Sequence, residues 1–280
     1  MAGANAQRGV ALVVSDVDGT LLDPEKNLSP GAPAGVKRLQ QAGIRFTVAS
    51  ARPPRLTYAL LRDLHVSGPS ACFNGALLID PDCNILHQLP MTSTDAQTVA
   101  DHIRKSLLDL WVYTDTNWYV SNPDGPHVEH QEELMQCQAA PLLSYDMSQF
   151  HVLKLVGVSD DYGAVQRAQF ELDHLFGVAI SATRSSDYYL DVTHADANKG
   201  TVILMLSRML NIPTEQIATL GDMPTDVLMF RQSGVSIAMG NATDEVKAQA
   251  TYVTKSNLED GFVYAIEHFI LGGEQKQAAD

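Results

Sequence analysis

The sequence predicts an α/β protein with a doubly wound parallel-sheet core, interrupted mid-chain by an α+β insertion. Three observations carry this. Apolar runs of strand length alternate with amphipathic helical segments in the first and last thirds. The middle third instead pairs strand-like runs with scattered helices. Paired or single aspartates close two of the apolar runs, at the sheet edge where open α/β proteins hold ligands.

In chain order, Val10–Ser15 reads as a buried strand leading into Asp16-Val17-Asp18-Gly19-Thr20. A helix is expected over 30–42, with Ser29 as its cap, Pro30 at its first position and Gly43 ending it. Ile44–Ala49 is the next strand, and Ser50-Ala51-Arg52 follows it. Pro53 and Pro54 open a helix to about Leu64. Asn74-Gly75, between Ala71–Phe73 and Ala76–Ile79, marks a turn. The insertion is expected over residues 86–190, with a core of 1–85 plus 191–280. Within the insertion, helices are expected over 93–107, 127–137 and 162–175. Strands are expected over 111–114, 118–121, 152–158, 178–183 and 188–192. The core then resumes with a helix over 199–210, a strand over 217–220, a helix over 224–232, and strands over 235–239 and 251–254. A last helix, capped by Asn257, runs to about Leu271.

The chain has 280 residues, 45% of them hydrophobic, enough for a core of one large domain or two smaller ones. Its net charge is −14 and its pI about 4.9, which argues against nucleic-acid binding. The same field repels a free phosphate ester, so a site for one needs local cations. Cys72, Cys83 and Cys137 have neither metal-type spacing nor disulfide density, as expected in a reducing, cytoplasmic setting. No run has membrane-spanning length, and the start lacks a signal-peptide apolar stretch. The polar end, GGEQKQAAD, is expected to fray.

Four motifs carry chemistry. Asp16 and Asp18 lie two residues apart past a strand end, where two carboxylates repel unless a cation or a shared proton separates them. A hard divalent ion with oxygen ligands, Mg²⁺, is the simplest solution. Asp16 can act as a nucleophile toward phosphorus, and Asp18 as acid and then base. Ser50 can offer its hydroxyl and nearby N–H groups to phosphoryl oxygens, or cap the following helix. Lys199 opens a helix, where the dipole disfavours a cation, so a neutralising duty toward Asp16 is expected. Asp222 suits a metal ligand. Asp226, four residues on, can ligate directly or orient Lys199. Each motif alone also fits a surface turn, cap or solvated side chain. Their shared order and strand-end context favour one site.

This order of motifs resembles the haloacid dehalogenase-like hydrolases, closest to the capped small-molecule phosphatases with a Cof-like, type IIB cap. The resemblance covers nearly the whole chain. It implies a Rossmann-like core and a cap formed by the insertion. Asp16 is then the nucleophile, and Asp18 the acid/base whose backbone carbonyl joins Asp16 and Asp222 on Mg²⁺. Val17, Ser50, Ala51, Lys199 and Thr225 are implied around the phosphate. The implied partner is a small phosphorylated substrate, such as a sugar phosphate or a phosphorylated cofactor. The chain departs from the family at Ala51, where glycine is usual, and at Thr225, where asparagine is usual. Asn74-Gly75 and Gly240-Asn241-Ala242 look like structural turns. Phosphomutase and non-enzymatic phospho-ligand binding are the alternatives. His127, Glu129 and His130 read as a solvated face rather than a zinc site. Trp111, Trp118 and Tyr119 read as packing, with Trp118 or Tyr119 the candidates to line a cleft.

Overall fold

The computed structural model describes residues 9–177 and 179–272. The predicted fraying of the end falls at 273–280, outside the described residues. The first βα units are β1 (Leu12–Ser15), α1 (Ala32–Gln41), β2 (Arg45–Val48) and α2 (Pro54–Asp63). A small antiparallel sheet follows: β3 (Ser70–Cys72), β4 (Leu77–Ile79) and β5 (Ile85–Gln88). Asn74-Gly75 makes the tight connection between β3 and β4, as its sequence predicts.

The middle segment holds α3 (Ser93–Lys105), β6 (Asp109–Tyr113), β7 (Trp118–Val120), α4 (Val128–Met135) and β8 (Ala140–Pro141). It continues with β9 (Lys154–Val158), α5 (Tyr162–Phe176), β10 (Ile180–Ser186) and β11 (Tyr189–His194). Its strands form one six-stranded sheet in the order β10-β11-β9-β6-β7-β8. The chain then enters α6 (Lys199–Leu210), β12 (Ile217–Gly221), a short 3₁₀ turn at Pro224–Asp226, α7 (Val227–Phe230), β13 (Val235–Ala238) and β14 (Tyr252–Val253).

The core sheet runs β14-β13-β12-β1-β2, every pairing parallel, with β1 between β12 and β2. β1 is buried along its whole length, all four residues included. One face packs against α1 through Val36 and Leu39, and the other against α6 through Val202, Ile203 and Leu206. A strand buried on both faces needs apolar residues throughout, which is why LVVS shows no alternation. The six-stranded sheet does alternate. Leu110, Val112, Leu155, Leu190 and Val192 pack beneath α3 and α5.

Three local expectations fail, two of them because a distant partner captures the residue. Ser29 does not cap α1; its hydroxyl donates to Asp260 at 2.6 Å, and the helix starts at Ala32. Asn257 does not cap the last helix. Its side chain donates to the Leu22 carbonyl, and the helix starts at Gly261 and widens into a π turn at Ile266–Leu271. The helix expected over 224–232 is a 3₁₀ turn followed by the four residues of α7. No described helix is long and apolar enough to cross a membrane.

Candidate active site

The carboxyl ends of β1 and β12, neighbours in the sheet, bring Asp16 and Asp222 together. α6 enters from below with Lys199 as its first residue. Asn198 caps that helix by accepting the Thr201 N–H, and this fixes where the lysine emerges. The Lys199 ammonium bridges Asp16 Oδ1 and Asp226 Oδ1, each at 2.5 Å. All three are buried: Asp16 is 5% exposed, Lys199 4% and Asp226 0%. Asp226 spends its other oxygen on the Asp222 and Met223 N–H groups, both at 2.9 Å. Its carboxylate is thus committed to the lysine and to the loop that carries Asp222. Of the two duties the sequence leaves open for Asp226, this geometry matches the orienting one.

Asp16, Asp222 and Asp226 each offer a carboxylate oxygen within 4.8 Å of the others, and no other described acidic, histidine or cysteine cluster is as tight. Burial, with the neighbouring Asp226 and Asp222 charges adding and Lys199 opposing, pushes Asp16 up to about 8. Asp222 is pushed up to about 6 by burial and by Asp226. Burial alone would lower Lys199; the Asp16 and Asp226 carboxylates override it and raise it. One ammonium against three carboxylates leaves the site electron-rich, and an all-oxygen donor set suits Mg²⁺. Because Asp226 has both oxygens engaged, Asp16 Oδ2 and the Asp222 carboxylate are the groups that could hold an ion. Among the described residues the Asp222 carboxylate has only long contacts, from Thr20 at 3.3 Å and Asn241 at 3.4 Å.

Gly19 makes this crowding possible. Its φ is +83°, and a Cβ there would sit 2.3 Å from Asp222 Oδ2. The glycine turns the chain away from β1 and lets Asp222 lie against its backbone. Asn241 closes the same turn by donating to the Gly19 carbonyl at 3.0 Å. The Gly240-Asn241-Ala242 stretch, read as structural from sequence, therefore touches Gly19 and Asp222.

Asp18 faces a different environment. Arg52 grips it with a two-pronged fork, Nε and one terminal nitrogen each at 2.7 Å, and Lys26 adds a contact at 2.8 Å. Burial would raise its carboxyl, but the Arg52 hydrogen bonds and charge, helped by Lys26, hold it well below the usual carboxylate range. In the sequence Arg52 stands out only as part of Ser50-Ala51-Arg52. Its position after β2, the strand next to β1, was the available signal.

A cleft of about 280 Å³ opens above these groups, between the core and the six-stranded sheet. Asp16, Asp18, Ala51, Lys199 and Thr225 line it. Ser50 and Val17 lie beneath the surface. The Ser50 hydroxyl accepts the Arg52 N–H at 3.2 Å, and Val17 is fully buried, its carbonyl holding the Leu21 and Leu22 N–H groups. Ser50 does not cap α2, whose cap position is Pro53. On the opposite wall Trp111 lines the cleft, whereas Trp118 and Tyr119 do not: Trp118 stacks behind on Tyr113, and Tyr119 packs on Phe150. His127 stacks on Tyr188 and meets Asp160, while His130 reaches the cleft.

A sequence family described as haloacid dehalogenase-like hydrolase matches residues 13–266. The 5-amino-6-(5-phospho-D-ribitylamino)uracil phosphatase YwtE of Bacillus subtilis (strain 168) is 30% identical over 285 aligned positions, covering 93% of this chain and 98% of that protein. Among solved structures, a haloacid dehalogenase-like hydrolase from Bacteroides thetaiotaomicron superposes with a TM-score of 0.81 at 26% identity, covering 93% of this chain and 99% of its own. The subclass IIB sugar phosphatase BT4131 gives a TM-score of 0.82 at 21% identity over 93% and 99%, a likeness of fold.

Proposed function

The chain belongs to the haloacid dehalogenase-like hydrolases, and from that membership we propose a Mg²⁺-dependent phosphatase of small phosphate monoesters that works through an aspartyl-phosphate on Asp16. The observation that carries the reading is the buried Asp16–Lys199–Asp226 chain, which opens into the cleft beside Asp222. An ammonium pinned between two carboxylates is a costly way to stabilise a fold. It is an economical way to hold a nucleophile and offset a phosphoryl group's charge.

In this scheme Asp16 attacks phosphorus, the ester P–O bond breaks, and the leaving oxygen takes a proton from Asp18. Asp18 then removes a proton from water, the water oxygen attacks phosphorus, and Asp16 is released with inorganic phosphate. Lys199 fixes the Asp16 carboxylate through Oδ1. Ala51 and Thr225 bound the phosphoryl position, and Ser50 supports the Ala51 turn from below. Asp16, Asp222 and the Asp18 carbonyl would hold Mg²⁺, which supplies the charge neutralisation that lets an anionic nucleophile meet an anionic ester. Arg52 and Lys26 hold Asp18 as the base. Its acid step requires Asp18 to leave the Arg52 fork and take up a proton from solvent or from the substrate's own phosphate before it meets the leaving oxygen.

The proposed division is a core of 1–85 plus 191–280 and a cap of 86–190. β5 extends the β3-β4 sheet to Gln88 and β11 carries the cap sheet on to His194, so both crossings are better drawn elsewhere, between Gln88 and Ser93 and between His194 and Asn198. Sugar phosphates or phosphorylated cofactors are the proposed substrates; YwtE is named for a phospho-ribitylamino-uracil and BT4131 for sugar phosphates. A phosphate-release screen over many monoesters, with and without Mg²⁺ and beside Asp16→Ala, tests the proposal. No release from any ester with Mg²⁺ present would defeat it. Full turnover by a folded Asp16→Ala protein would defeat the mechanism.

A further inference from the structure

The wall facing Asp16 is the inner face of the six-stranded sheet. Strand alternation places Trp111 and Tyr113 of β6, Lys154 and Val156 of β9, and Tyr189 and Asp191 of β11 along the cleft. An aromatic and aliphatic face needs no charge to pack. Yet the Lys154 and Asp191 side chains are only 10% and 2% exposed, with Nζ 2.8 Å from Oδ1. The two meet as an ion pair, off the hydrogen-bonding direction. Neither Asp191 oxygen accepts a hydrogen bond from any described residue. The Trp111 Nε1 and Ser186 Oγ atoms, on residues that line the same cleft, are also buried without partners. Arg184, the other cation of this wall, donates to Gln169 and pairs with Asp187.

Buried acceptors with empty lone pairs are costly, and apolar residues of similar volume often serve stability as well or better than a buried ion pair. Polar atoms left unpartnered just beneath a cleft wall become available to a ligand once a small side-chain shift uncovers them. We propose that Lys154 and Asp191 form a net-neutral reading pair for the substrate's leaving group, a subsite that rests on the phosphatase reading of the same cleft. It selects an uncharged group with a hydrogen-bond donor beside an acceptor: adjacent hydroxyls of a sugar or polyol, or the N–H and C=O edge of a cyclic amide. The donor meets Asp191 and the acceptor meets Lys154, while Trp111 and Tyr189 cover the carbon face. An anionic leaving group would confront the Asp191 carboxylate, and a cationic one the Lys154 ammonium. The cleft's 280 Å³, near the lower end of ligand pockets, suits one ring or a short chain.

The test compares kcat/KM for matched esters: ribitol 5-phosphate against n-pentyl phosphate, and 5-hydroxymethyluracil phosphate against benzyl phosphate. 3-Phosphoglycerate and phosphoethanolamine serve as anionic and cationic probes. The wild type is expected to favour at least one hydroxylated or amide ester over its apolar match by about tenfold or more, and over both charged esters. The pair that shows the preference identifies which source of the donor–acceptor edge is read. The double variant Lys154→Met/Asp191→Leu keeps the wall packed and should bring that ratio to within about threefold of unity. Asp191→Asn should shift preference toward 3-phosphoglycerate relative to phosphoethanolamine, and Lys154→Met the opposite way. If the double variant does not fold, these opposed shifts decide the matter. A wild type that prefers a charged ester overturns the proposal, as does a ratio that survives in a normally melting double variant. If the wild type releases phosphate from no ester with Mg²⁺, the phosphatase reading itself falls and takes this subsite with it.

Discussion

Asp226 holds the Lys199 ammonium at the same 2.5 Å as Asp16 does, although only Asp16 lines the cleft. The lysine is therefore positioned from behind. Asp226 also ties down the Asp222 N–H, so one carboxylate sets two members of the site.

Asp226→Asn should expose this dependence. An amide has one acceptor oxygen, but Asp226 uses both of its own, one toward the ammonium and one toward two N–H donors. One of those sides must then face an NH₂ group. Breaking a buried pair by removing one partner costs about 3–5 kcal/mol. The expected outcome is a lower melting temperature and a kcat reduced about 10²-fold or more, with KM changed less. A variant with wild-type kcat would mean that Lys199 needs no second carboxylate.

Gly19 and Gly43 give a paired test of close approach against backbone strain. Both have positive φ, +83° and +76°, but a Cβ at Gly43 meets nothing within 4 Å, whereas at Gly19 it strikes Asp222. Gly43→Ala should cost about 1–2 kcal/mol of stability and leave turnover unchanged. Gly19→Ala should lose turnover by more than about tenfold and weaken the response to Mg²⁺, because Asp222 must move. Equal effects on activity would show that the Asp222 approach has no functional part.

Much of this site was legible in the sequence because its motifs follow strands whose apolar runs are unmistakable. Asp16 after Leu12–Ser15 and Asp222 after Ile217–Gly221 are examples, and Lys199 opens the helix its sequence predicts. What stayed hidden depends on contacts far apart in sequence. Ser29 is taken by Asp260, 231 positions away, and the Arg52 fork reaches Asp18 across 34. Asn241 looked like a turn residue because its partners, Gly19 and Asp222, come from two other loops. Lys154 and Asp191 lie inside strands that read as apolar, and only the sheet order β11-β9-β6 makes them neighbours.

Divalent metal should stabilise the protein as well as activate it. Asp16 and Asp222 are both pushed upward mainly by burial, with like charges adding, and a cation between them relieves that repulsion. At a hundred times its Kd, Mg²⁺ should add about 2.7 kcal/mol, a rise of several degrees in a thermal melt. Asp222→Asn should abolish most of the rise. Chelation should stop phosphate release, and Mg²⁺ should restore it. Restoration by Zn²⁺ alone would point instead to His127 and His130.

Thr225 lines the cleft between Asp222 and Asp226, in the 3₁₀ turn opened by Pro224. Asparagine, usual here in the family, carries an amide donor on a longer arm. Thr225 can serve the phosphate only at closer range or through a water. If its hydroxyl takes part, Thr225→Val should be worse than Thr225→Asn, because valine keeps the shape and lacks the donor. Loss of one donor to a developing charge typically costs about 10²–10³ in rate, and less when a water mediates. Thr225→Asn should therefore stay within about tenfold of wild type and Thr225→Val should fall below it, a comparison that steady-state kinetics at matched melting temperatures resolves. Equal kcat/KM for valine and threonine would assign Thr225 to the turn alone, leaving Lys199 and the metal to carry the phosphoryl charge.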